Sequence, residues 1–167
     1  MTPLQTLVWT HPERGSSYPG AFPKGYEERL WRLLGKPEPS TMLHVFGGEA
    51  KIGVRIDINP AVNPDYVMDA HDLKFEDESF MVVICDVPFS DQDNQRKYNN
   101  PDASPLDIDK WQVEASRVCK ENGFIVTRHF WELQCPPKCS EWMRIILVQC
   151  HGRFMHMVQI FMKDGDS

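Results

Sequence analysis

The sequence predicts an α/β protein built on a mostly parallel sheet, and three observations carry that prediction. The first is Met81-Val82-Val83-Ile84-Cys85, a short and nearly uninterrupted apolar run that ends abruptly in Asp86-Val87-Pro88-Phe89. A run of this kind suits a strand buried on both faces of a parallel sheet. The second is a series of similar runs upstream: Leu43 to Phe46 ending in Gly47-Gly48, Ile52 to Ile56 ending in Asp57, and Tyr66 to Met68 ending in Asp69. Strands that each end in glycine or an acid have the rhythm of a nucleotide-binding sheet, whose ligands lie outside the carboxyl ends of the strands. The third is the helical stripe Ile108, Trp111, Ala115 and Val118, placed to cross from the fourth strand to a fifth at Phe124 to Thr127.

The remaining elements follow in chain order. Tyr26, Leu30, Leu33 and Leu34 fall on one helical face and Gly35 supplies a stop, so an amphipathic helix over Lys24 to Leu34 precedes the first strand. Ser104-Pro105 reads as the N-cap and first turn of the crossover helix, and Asn122-Gly123 as its end. Arg144 to Cys150 and Phe154 to Met162 flank His151-Gly152-Arg153, which predicts a C-terminal antiparallel hairpin. The polar stretch Ser90 to Ser104 is longer than an ordinary connection and reads as a substrate-side loop, with Tyr98 available to stack on a base.

Length and composition set the outer limits. The chain has 167 residues, enough for a single domain over residues 1–167. Residues 1–41 form an N-terminal segment and helix, and 42–163 the sheet core. No apolar run is long enough for a membrane span, no charged-then-apolar leader is seen, and the five cysteines are odd in number and scattered. A soluble, cytoplasmic protein with reduced thiols is expected. The net charge of −6 argues against broad, salt-driven binding to duplex nucleic acid, which relies on neutralising phosphates. Cys135, Cys139, Cys150 and His151 are conceivable zinc ligands, but adjacent Cys150 and His151 would point to opposite faces of a strand, so no metal site is assigned.

The order Gly47-Gly48, Asp57, Asp69-Ala70, Asp86-Val87-Pro88-Phe89 resembles the class I S-adenosylmethionine-dependent methyltransferases. It is most similar to the branch that methylates amino groups of nucleic-acid bases, where a strand ends in Asp/Asn/Ser-Pro-Pro-Tyr/Phe. The segment Ser17 to Gly25 also resembles a Tyr/His-Pro-x-x-Phe-Pro stretch that precedes the cofactor domain in many such enzymes, and the likeness spans residues 17–130. It implies a minimal Rossmann-like methyltransferase sheet with S-adenosylmethionine as cofactor. Phe46, Gly47 and Gly48 would lie against the methionine part, Asp57 with Ile58 would hold the ribose, and Asp69 with Ala70 would flank the adenine. Tyr18 and Phe22 would face the substrate, and by position in the chain so would Tyr98 in the polar loop and His129, which follows the fifth strand at the crevice edge.

The resemblance also implies a chemistry. An exocyclic amino group has its lone pair delocalised into the base, so it attacks a sulfonium poorly until hydrogen bonds draw on its N–H groups. Asp86 and the Val87 carbonyl would accept those bonds, Pro88 would shape the turn, and Phe89 would stack on the flipped-out base. Alignment of donor and acceptor would supply the rest of the rate, with no metal required. The chain carries no separate recognition domain, so nucleic-acid binding would be weak alone and completed by a partner or a second copy.

Two departures stand against this pattern. Residues 47–51 leave no room for the helix that the family places after its first strand, since a parallel crossover usually takes a dozen or more residues. The segment from Asn59 to Asp65 is likewise too short for a helix. A hairpin between the first two strands is the alternative, and it would spoil the cleft. Two other functions remain in view: a methyltransferase-like domain without catalysis that serves as an interaction module, and a methyltransferase acting on small molecules.

Overall fold

A computed structural model describes residues 3–88, 105–149 and 154–165. These form β1 (Gln5–His11), α1 (Tyr26–Leu33), β2 (Met42–Val45), β3 (Val54–Asp57), β4 (Tyr66–Val67), β5 (Phe80–Cys85), α2 (Ile108–Val118), β6 (Cys119–His129), β7 (Cys139–Gln149) and β8 (Phe154–Lys163). The strands make one eight-stranded sheet in the order β1-β7-β8-β6-β5-β2-β3-β4. Strands β2 to β6 run parallel, and β8 lies antiparallel between β6 and β7.

All four residues of β2 are buried, as befits a strand covered on both faces. Leu43, Val45, Val83, Cys85 and Ile125 pack with Trp111, Ala115 and Val118 of α2. Met42, Val82, Ile84, Val126 and Ile145 pack on the other side with Tyr26, Leu30 and Leu34. The two predicted helices therefore cover opposite faces of the sheet. Helix α2 starts later than expected, because Asp107 rather than Ser104 caps it, accepting from the Lys110 N–H at 3.0 Å. It also ends at Val118, before Asn122-Gly123, which lie within β6.

One finding bears out the expected topology and another adds to it. The β2–β3 pair is parallel, with Leu43 opposite Val54, so the hairpin alternative is excluded. Strand β1, which is not among the expected elements, pairs parallel with β7 at the edge of the sheet. Strand order reverses between β2 and β5: β2 leads to β3 on one side, and β5 leads to β6 on the other. That reversal opens a crevice at the carboxyl ends of β2 and β5, the place where open α/β sheets bind ligands.

Candidate functional site

The crevice holds a cavity of about 380 Å³, within the range usual for small-molecule sites. Phe46, Gly47, Gly48, Asp57, Ile58, Asp69 and Ala70 all line it, so the structure brings every expected cofactor residue to one place. Asp86, Pro88, Tyr18 and Phe22 line it as well. Val87 is buried and His129 is buried against Trp131, and neither side chain reaches the cavity wall. Phe89, Tyr98 and the expected loop from Ser90 to Ser104 lie outside the described residues.

The turn after β2 forms without a helix because side chains of its neighbours take up its backbone groups. Gly47 donates to the Ile56 carbonyl at 2.7 Å, and a Cβ there would sit 3.1 Å from that oxygen. Gly48 adopts a φ of +46°, and a Cβ on it would come within 3.0 Å of the Tyr18 ring. Its N–H donates to Asp57 Oδ2 at 3.1 Å, and its carbonyl accepts from Arg55 Nη1 at 2.8 Å. Farther along, one oxygen of Glu27 accepts from the backbone N–H groups of Lys51 and Ile52 at 2.8 and 3.1 Å. Glu27 comes from α1, so the helix that precedes β2 in the chain takes up backbone groups at the end of a turn too short to hold a helix of its own.

Electrostatics follow from burial. Burial pushes the Glu27 carboxyl above its ordinary value, against the pull of the two backbone N–H bonds. Beside it, His44 is buried and held down to about 4 by desolvation, while its Nε2 donates to the Ile52 carbonyl at 2.8 Å. At the adenine end expected from the resemblance, Asp69 Oδ1 accepts from both the backbone N–H and Nδ1 of His71, at 2.9 and 2.7 Å. The Asp107 N–H donates to His71 Nε2 at 3.0 Å, which places the ring proton on Nδ1.

At the opposite end, Arg128 grips Asp86 through two parallel bonds, Nε to Oδ1 at 2.7 Å and Nη2 to Oδ2 at 3.0 Å. The Arg128 side chain is 4% exposed and that of Asp86 18%. Burial pushes the Asp86 carboxyl up from its ordinary value, and the guanidinium pulls it down. Both carboxylate oxygens of Asp86 are thus engaged, which sequence reasoning did not foresee. A signal existed: Arg128 is a basic residue at the end of a buried strand, and Cys85 pairs with Thr127, which sets residue 86 beside residue 128.

The N-terminal segment closes the cavity. A bridge pairs Arg14 with Pro23, and the Lys24 N–H donates to the Glu13 carbonyl at 3.1 Å, so residues 14–25 form a strap with a pinned base. Ser16 donates to Glu49 at 2.5 Å, and Gly20 offers its carbonyl to Arg128 Nη2 at 2.7 Å.

No protein-family model and no curated protein matches the sequence. Solved structures do match in fold. An S-adenosylmethionine-dependent methyltransferase from Aquifex aeolicus superposes with a TM-score of 0.51 at 12% identity, covering 82% of this chain and 89% of that one. A candidate methylase from Haemophilus influenzae superposes with a TM-score of 0.53 at 13% identity, covering 83% and 96%. Geranyl diphosphate methyltransferase superposes less well, with a TM-score of 0.45 at 15% identity and 61% of this chain covered. The chain spans about half of that longer protein, 47% of its length. The fold is that of the class I S-adenosylmethionine-dependent methyltransferases.

Proposed function

We propose that this protein binds S-adenosylmethionine in the cavity at the β2–β5 crevice and transfers its methyl group to a small acceptor molecule. The observation that carries this reading is the convergence of the glycine turn, Asp57 and Asp69 on one cavity in a methyltransferase fold. Asp57 uses one oxygen on Gly48 and the other on Asn59, and each retains a lone pair for a ribose hydroxyl. Phe46 and the glycine turn flank the methionine part, and Ala70 offers a small apolar surface to the adenine. Pro88 and Phe22 form the wall past which an acceptor approaches the sulfonium.

The engagement of Asp86 favours a small acceptor over a nucleic-acid base. An exocyclic amino group is drawn on best by an acceptor whose charge is not already spent, and here the Arg128 guanidinium neutralises Asp86 through both oxygens, so the lone pair left on each is a weaker acceptor. The net charge of −6 points the same way. Calorimetric titration with S-adenosylmethionine tests the binding step, with one site per chain expected. Transfer of a labelled methyl group to a panel of small amines, thiols, hydroxyls and carboxylates, run beside unmethylated DNA and RNA, tests the acceptor class. Transfer to the nucleic acids alone would restore the base-amino reading, and absence of cofactor binding would leave an interaction module.

A further inference from the structure

We propose that the Asp86–Arg128 pair is a latch that holds the strap of residues 14–25 shut over the cavity, making Arg128 a positioning residue that governs how fast a ligand leaves. This goes beyond the function proposed above and requires only that some ligand occupies the cavity.

One guanidinium joins three parts of the chain. Arg128 stands at the end of β6, Asp86 follows β5, and Gly20 lies near the middle of the strap. The same Nη2 donates to Asp86 Oδ2 at 3.0 Å and to the Gly20 carbonyl at 2.7 Å. The guanidinium carbon also sits 5.0 Å from the centre of the Phe22 ring, a second hold on the strap. Gly15, Ser16, Tyr18, Gly20 and Phe22 all form cavity wall, so a displaced strap exposes the ligand along that side. The strap's base is held by its own backbone bonds, so opening would part Phe22 from Tyr26 and His44 and release the Arg128 contacts without requiring α1 to unwind.

Packing alone does not account for the pair. Burying two charges costs desolvation that their attraction repays only partly, and apolar residues in such places are often as stable. An ion pair does what an apolar contact does not: Asp86 fixes the guanidinium plane, and the fixed plane aims Nη2 at one carbonyl of the strap. Ser16 and Glu49 make a further side-chain hydrogen bond between the strap and the cavity floor.

The test removes the orienting charge and reads the strap directly. In Asp86→Asn without ligand, elastase cleavage after Ala21, in the part of the strap that swings, followed by mass spectrometry, is expected to speed up roughly tenfold or more, the factor set by weakening one charge-assisted bond. The dissociation rate of S-adenosylmethionine is expected to rise by a similar factor, with the circular dichroism spectrum unchanged. Unaltered cleavage overturns the latch, and faster cleavage with an unaltered dissociation rate overturns its control of the cavity. The cleavage measurement needs no ligand, so failure of the unsubstituted protein to bind the cofactor counts against the proposed function while cleavage still decides the latch. If Asp86→Asn does not fold, Arg128→Lys, which keeps the charge but not the paired donors, is judged by the same outcomes.

Discussion

Asp57 Oδ2 lies 3.1 Å from the backbone nitrogen of Gly48 and accepts its hydrogen bond. This single contact joins the end of β3 to the turn after β2, the two segments that would hold the ribose and the methionine part of the cofactor. In a longer crossover, helical backbone bonds would shape the turn. Here a carboxylate that lines the cavity does so, and under the proposed function one residue would serve both the local fold and the ligand.

Asp57→Ala separates those two tasks. Loss of the bonds from Gly48 and Asn59 is expected to cost about 1–2 kcal/mol of stability. Affinity for S-adenosylmethionine should fall further, by roughly a hundredfold, because two ribose hydroxyls lose a charged acceptor. Denaturant midpoints and calorimetry on the same preparation report the two effects. An unaltered affinity would falsify the ribose assignment.

Glu27 supports the far end of the same turn. Glu27→Ala strips an acceptor from the N–H groups of Lys51 and Ile52 and is expected to destabilise by about 1–3 kcal/mol. For a chain of this length that corresponds to a fall of roughly 2–10 °C in Tm. Glu27→Gln keeps an oxygen in place and should recover most of the loss. Equal losses in both variants would show that the charge, rather than the hydrogen-bond geometry, is what matters.

Much of the sheet was legible because its signals are local. Short apolar runs gave β2, β3, β4 and β5, and the acids or glycines that end them mapped to a single cavity. Parallel pairing of β2 with β3 was the expected arrangement, but what holds so short a turn was not legible, since Glu27 and Arg55 lie outside the turn they support. The Asp86–Arg128 pair spans strands whose adjacency only the folded sheet reveals. His129 drew attention as a candidate in the same stretch, yet neighbouring strand residues face opposite ways, and it is Arg128 that turns toward Asp86. Strand β1 has β-branched residues at alternate positions, Thr6, Val8 and Thr10, but its partner β7 lies more than a hundred residues away, so nothing local marks it as part of the sheet.

Gly48→Ala probes the closeness of strap and turn. A side chain at a φ of +46° is strained by about 1 kcal/mol, and its methyl group would meet the Tyr18 ring at 3.0 Å. Stability should drop and the strap should be pushed outward. Adding Tyr18→Ala removes the clash but not the strain, so the double variant is expected to regain protection of the strap from protease while remaining less stable than the unsubstituted protein. If the single and double variants are cleaved at equal rates, the strap does not rest on the turn as described.

His44 makes stability depend on acid. Its ordinary pKa of 6.5 falls to about 4 in the fold, where it is buried between Phe22, the Ile52 carbonyl, Glu27 at 3.8 Å and the positive charge of Arg55. Between pH 6.5 and about 4 the unfolded chain takes up a proton at this ring and the folded chain does not. Stability contributed by the neutral ring is therefore complete above pH 6.5 and is lost as the pH falls toward 4, by about 3 kcal/mol at 1.36 kcal/mol per pKa unit. Glu27 and Asp86 act in the opposite sense, since carboxyls raised by burial bind their protons in the fold first and offset part of the loss at the acid end. Denaturant midpoints across this range should slope downward with acid in the unsubstituted protein. In His44→Phe, which cannot titrate, the curve should flatten or tilt the other way under the two carboxyls; an unchanged slope would assign the acid sensitivity to another group.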